Sequence, residues 1–138
     1  MSVLSTDMEV FLEGKTILIV DDDENLVKAL ALKLRSAGYT VLVGLDGMQA
    51  LMQAQRKDPD LILMDVTMPA GDGLSVLDKL HHSIRTRRIP VIMMSAASGD
   101  NLEEDAKEMG AIGFLHKPFD ADKLIKAIDI EMGDQPAG

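Results

Sequence analysis

Cysteine and tryptophan are absent from this chain of 138 residues, and it carries only one tyrosine and three phenylalanines. Without cysteine there is no disulfide framework, no zinc-thiolate site and no thiol nucleophile, and nothing calls for an oxidising compartment. The cytoplasm is the expected location. With so few aromatics, the core must be built from Leu, Ile, Val, Met and Ala. No apolar run is long enough to span a bilayer. The N-terminus, "MSVLSTDMEVFLEGK", has neither the basic opening nor the sustained apolar segment of a secretory signal. Positive charge is also scarce. Fourteen Lys and Arg stand against 23 Asp and Glu, and the resulting net charge of −9 repels nucleic acid and anionic lipid alike. Direct binding to nucleic acid or membrane is therefore not expected. The one basic stretch, "KLHHSIRTRR" at 79–88, has no interleaved aromatics for base stacking and reads as a solvated helix end and loop.

What is present is an ordinary globular balance, 46% apolar and 27% charged, in a chain long enough for one domain with its own core. Apolar runs recur as "TILIV" at 16–20, "VLV" at 41–43, "LILM" at 61–64, "VIMM" at 91–94 and "IGFL" at 112–115. Several are continuous rather than alternating, which suggests strands buried on both faces. Helical spacing lies between them. Leu26, Leu30 and Leu34 share one face of the first helix, Leu124, Ile125 and Ile128 one face of the last, and Gly38 marks where the first should stop. Strands alternating with helices predict a doubly wound α/β fold, with five parallel strands and helices on both faces. The expected domain is 15–132, preceded by an arm at 1–14 and followed by a flexible tail or linker start at 133–138.

In open parallel sheets, ligands bind outside the carboxyl ends of the strands. Those ends carry Asp21 and Asp22 after the first strand, Asp65 after the third and Ser95 after the fourth, with Lys117 following the fifth. Carboxylates without Cys or His are hard oxygen ligands, suited to Mg²⁺ rather than to zinc or copper. A lysine beside them balances charge and can hold a phosphate, and a serine hydroxyl can donate to a phosphoryl oxygen. The set fits phosphoryl transfer, where positioning and charge neutralisation dominate. Taken one at a time, each residue has a plainer role: Asp23 as the cap of the first helix, Asp21 and Asp22 as acids favoured by its dipole, Asp65 as a strand-end acid, Ser95 as a turn residue and Lys117 as a solvated lysine. An EF-hand loop starting at Asp21 fails, since Leu26 and Leu32 occupy the positions that need Gly and Glu. His81, His82 and His116 share no metal spacing and are expected at the surface.

The segments "ILIVDDD", "DLILMDVTMPAGDGLSVL", "IPVIMMSAAS" and "GAIGFLHKPF", in order and suitably spaced over about 15–132, resemble the receiver domain of bacterial two-component response regulators. The resemblance implies the flavodoxin-like (βα)5 fold, Asp65 as phosphoacceptor, and Asp21 and Asp22 with Asp65 as ligands of Mg²⁺. It further implies that Thr67 supplies a backbone carbonyl to the metal, Lys117 contacts the phosphoryl group, Ser95 and Phe114 act as the switch pair, and the Lys117–Pro118 bond is cis. The implied donor is a phosphohistidine on a histidine kinase or histidine phosphotransfer protein. The implied output is a changed surface for a downstream protein on the face of the fourth helix, fifth strand and fifth helix. Such a protein is a switch rather than an enzyme acting on an external substrate. Two rival readings are a phosphorelay intermediate and a pseudo-receiver that keeps the fold without taking phosphate. A third, an aspartyl phosphohydrolase, would want a general acid two residues past the nucleophile, where Thr67 stands.

Overall fold

The computed structural model describes residues 15–68, 72–97 and 101–133; the expected arm and the tail from 134 onward lie outside these. The apolar runs become β1 (Thr16–Val20), β2 (Thr40–Gly44), β3 (Leu61–Asp65), β4 (Val91–Ser95) and β5 (Gly113–His116). Helices α1 (Glu24–Ser36), α2 (Gly47–Lys57), α3 (Gly73–His81), α4 (Leu102–Glu108) and α5 (Ala121–Gly133) alternate with them. All strand pairs are parallel, in the order β2-β1-β3-β4-β5. The chain leaves β1 toward β2 on one side and returns to β3 on the other. The loops after β1 and β3 therefore diverge and open a crevice at the carboxyl rim.

Side-chain alternation sorts the core into two layers. Leu18 and Val20 of β1 join Ala50 and Ala54 of α2, Val76, Leu77 and Leu80 of α3, and Ala106 of α4. Ile17 and Ile19 face the other way, onto Val27, Leu30, Ala31 and Leu34 of α1 and Leu124, Ile128 and Met132 of α5. The doubly wound architecture is thus as expected, with every residue of β3 and β4 buried. The edge strands β2 and β5 are only partly covered. On α1 the buried stripe includes Val27 and Ala31, while Leu26 is half-buried.

Local chemistry sets the helix boundaries. Asp23, Asp46 and Asp72 each cap a helix, their carboxylates accepting from the N–H of Leu26 (3.2 Å), Gln49 (2.8 Å) and Ser75 (2.8 Å). Gly38 follows α1 at φ 103°, a left-handed conformation that a side chain would strain. At the far end of α3 the buried Thr86 hydroxyl donates to Leu80 O (2.7 Å) and closes the turn. The basic stretch wraps around this point with Arg85, Arg87 and Arg88 exposed, in line with the reading of a solvated helix end. β5 starts one residue later than the apolar run suggests, because Ile112 belongs to the turn entering it and is 48% exposed.

Candidate functional site

The carboxyl rim gathers its residues from four strands. Asp21 extends β1 by one more bond, its N–H donating to Gly44 O (3.1 Å), which carries its side chain into the interior. It is wholly buried. One of its carboxylate oxygens accepts from the Asp23 N–H (2.9 Å), and the other accepts from the Lys117 ammonium at 2.6 Å. Asp65, the last residue of β3, lies 3.4 Å from the same ammonium and is 6% exposed. Asp22 is exposed at the mouth, and Asp21, Asp22 and Asp65 each bring a carboxylate oxygen within 4.8 Å of the others.

One ammonium facing three carboxylates leaves the rim strongly anionic. Burial first, and then the Asp21 carboxylate, push the Asp65 carboxyl above its ordinary range, opposed by Lys117 and by the backbone N–H of Thr67. For Lys117 burial works the other way, yet the carboxylates of Asp21 and then Asp65 outweigh it and hold the ammonium above its usual range. This surplus of close oxygen donors, with no nitrogen or sulfur among them, fits a hard divalent cation such as Mg²⁺. Lys117 is aimed by a fixed backbone: its N–H donates to Ser95 O (2.8 Å) and its bond to Pro118 is cis, as the sequence resemblance implied.

The remaining expected residues sit at different distances from this cluster. Ser95 ends β4 and is buried, but its hydroxyl is occupied locally, accepting from the Ala97 N–H (3.0 Å) and donating to Ala97 O (3.4 Å). Thr67 reaches Asp65 through its backbone N–H and leaves its side chain exposed. Phe114 stands apart from the carboxylates, half-buried against the layer of α3 and α4, with its ring edge-on to His116. All three histidines are exposed.

One residue that shapes the site was not singled out from the sequence. Gly73 opens α3, and a Cβ there would stand 2.2 Å from the backbone oxygen of Asp65. Its N–H donates to Val66 O (2.6 Å), so α3 begins pressed against the end of β3. A signal existed in "GDG": glycine directly after a capping aspartate is unnecessary for the cap and points to close backbone approach. Beside the cluster, Asp23, Leu26, Ala96, Lys117, Pro118 and Phe119 line an open hollow of about 320 Å³.

Comparison with known proteins converges on one family. Residues 17–129 match the model of the response regulator receiver domain. The chain is 44% identical over 104 residues to the response regulator PleD of Caulobacter vibrioides, covering 75% of this chain and 23% of that protein. It thus spans about a quarter of PleD's length. Among solved structures, the Francisella response regulator 1452 receiver domain superposes with a TM-score of 0.78 at 30% identity, covering 84% of this chain and 94% of that one. The receiver domain of sensor histidine kinase PA1611 from Pseudomonas aeruginosa, solved with magnesium coordinated in its active-site cleft, gives 0.73 at 31% identity, covering 84% and 95%. Among the described residues, no helix is long and apolar enough to cross a membrane. The crossing order of the sheet, the acidic rim and these matches together place the chain in the response regulator receiver domain family of two-component signalling.

Proposed function

We propose that residues 15–132 form a phosphoacceptor switch in which Asp65 takes a phosphoryl group from the phosphohistidine of a histidine kinase or histidine phosphotransfer protein. The observation that carries this reading is the position of Asp65, half in reach of Lys117 and within 4.8 Å of two further carboxylates at the topological switch point. A carboxylate oxygen of Asp65 attacks phosphorus, a P–O bond forms as the P–N bond breaks, and the donor imidazole leaves with its electron pair. The product is an acyl phosphate on Asp65. Lys117, held against Asp21 before the reaction, is placed to bond the oxygens of the incoming group and compensate their charge. Asp21, Asp22 and Asp65 would hold Mg²⁺, with the Thr67 carbonyl as a further ligand, and the ion when bound neutralises the surplus of negative charge in the rim. The Ser95 hydroxyl turns from Ala97 to the phosphoryl oxygen, and Phe114 turns inward into the space so opened.

The consequence is a shift between two surfaces rather than turnover of an external substrate. The surface that changes is that of α4, β5 and α5, where a downstream protein preferring one state reads it. Incubation with acetyl phosphate and Mg²⁺ followed by intact mass is the test. The expected result is a gain of one phosphoryl group that needs Mg²⁺ and is lost in Asp65→Asn. Equal modification of that variant would refute the assignment.

A further inference from the structure

His116 closes β5 at the surface, yet its imidazole meets two elements at once. Nε2 lies 3.5 Å from a carboxylate oxygen of Glu103 in the first turn of α4, and the ring meets Phe114 edge-on at 5.1 Å and 60°. In the sheet, His116 is the register partner of Ser95, and it immediately precedes Lys117. One side chain therefore ties α4 to the strand that carries Phe114 and leads into the rim.

The charge of this tie is set by the imidazole. Lys107 bonds the second oxygen of Glu103 at 2.9 Å, and Lys107 first, then His116, hold the Glu103 carboxyl below its usual range, so Glu103 stays anionic. The other groups facing His116 are Glu104, Lys107 and Asn101, which with Glu103 rim an open hollow of about 410 Å³ in front of the ring. Just after β5, Lys117 directs its ammonium away, to Asp21 and Asp65. From β4 the neighbour is the uncharged Ser95.

We propose that His116 is a positioning residue for the switch: through Glu103 and Phe114 it holds α4 and β5 in their unphosphorylated arrangement, and protonation of its ring strengthens that hold. This rests on the phosphoacceptor reading above. A contact that stabilises the unphosphorylated arrangement must weaken apparent affinity for a phosphoryl mimic, because only differential stabilisation moves a two-state equilibrium. A cationic imidazole attracts the Glu103 carboxylate more strongly than a neutral one, so acid should make the protein harder to switch.

The test is titration of beryllofluoride with saturating Mg²⁺, followed by amide NMR, on wild type, His116→Gln, Glu103→Gln and the double variant between about pH 5.5 and 8. The rim is common to all four, so its own titration cancels in the affinity ratios. Each single variant should bind about two- to fivefold more tightly than wild type at the acid end, the range an exposed charge pair supports, with the ratio shrinking as pH rises. The double variant should gain no more than either single one. A ratio that is flat with pH, or additive gains, overturns the proposal. Failure of wild type to bind beryllofluoride at all would overturn the phosphoacceptor reading itself, and the inference with it.

Discussion

The helices that flank the sheet are held by different means. On the side of α1 and α5, seven helical side chains are buried against β1, β3 and β4, and two polar links cross between distant parts of the chain: Lys33 to Asp122 at 3.1 Å, and the Tyr39 hydroxyl donating to Asp129. The Tyr39 hydroxyl, half-buried and facing that carboxylate, has its pKa pushed far above the ordinary phenol range. On the other side, α4 is a seven-residue helix with Ala106 as its one fully buried side chain, Leu102 and Met109 half-covered, and an ion pair to His116. Buried apolar area and contact density set local stability, so α1 and α5 belong to the framework while α4 opens at lower cost. A switch needs both, helices that do not yield and one that does.

The contrast breaks first where the framework is cut. Ile128→Ala empties a fully buried position on α5 and should cost about 2–5 kcal/mol of unfolding free energy, whereas Ala106→Gly on α4 should cost roughly 1 kcal/mol. Chemical denaturation measures both, and comparable losses would erase the distinction. Next in size is Gly73→Ala. Its Cβ has backbone, not a flexible side chain, to push against, so about 1–3 kcal/mol should be lost and the end of β3 displaced, visible as slower phosphorylation by acetyl phosphate.

A smaller effect sharpens the picture of the rim that lies between the flanks. The folded-state pKa of Asp65 is raised, so its contribution to stability is complete below the ordinary carboxyl pKa of about 3.9 and is lost as pH rises through the raised value. At neutral pH the ionised carboxylate is a net cost. Without metal, Asp65→Asn should therefore melt at a higher temperature than wild type near pH 7. The advantage should shrink as pH falls, and Mg²⁺ should stabilise wild type more than the variant. Thermal melts across pH check this, and a variant less stable at pH 7 would contradict it. The smallest expected effect is Lys33→Ala, where both partners are largely exposed: about 0.5 kcal/mol, reduced further by salt.

How much of this was legible in the sequence follows from the range of the interactions. The strands and their order of use were readable because continuous apolar runs and capping aspartates act locally, and Asp23 caps α1 as its position before "ENLVKAL" suggested. That Asp21, Asp65 and Lys117 meet followed from a topological rule applied to strand ends rather than from spacing. Three things were out of reach. The side-chain stripe of α1 turned out to centre on Val27 and Ala31 as much as on the leucines, because helix rotation is fixed by what it packs on. The glycine of "GDG" hints at a close backbone approach, but that the backbone approached is that of Asp65 depends on the angle at which α3 meets β3. The partner of His116 lies on another element, and no local pattern announces it.

The bond between Lys117 and Asp21 joins residues 96 positions apart, and it has a consequence for how the protein comes into being. A ribosome delivers the chain from the N-terminus, so β1, β3 and their aspartates emerge while β5 is still unmade. During that interval the carboxylates have no ammonium to meet, and contacts of such long sequence separation form late in folding. A nascent or C-terminally truncated chain thus holds the acids of the rim without its cation.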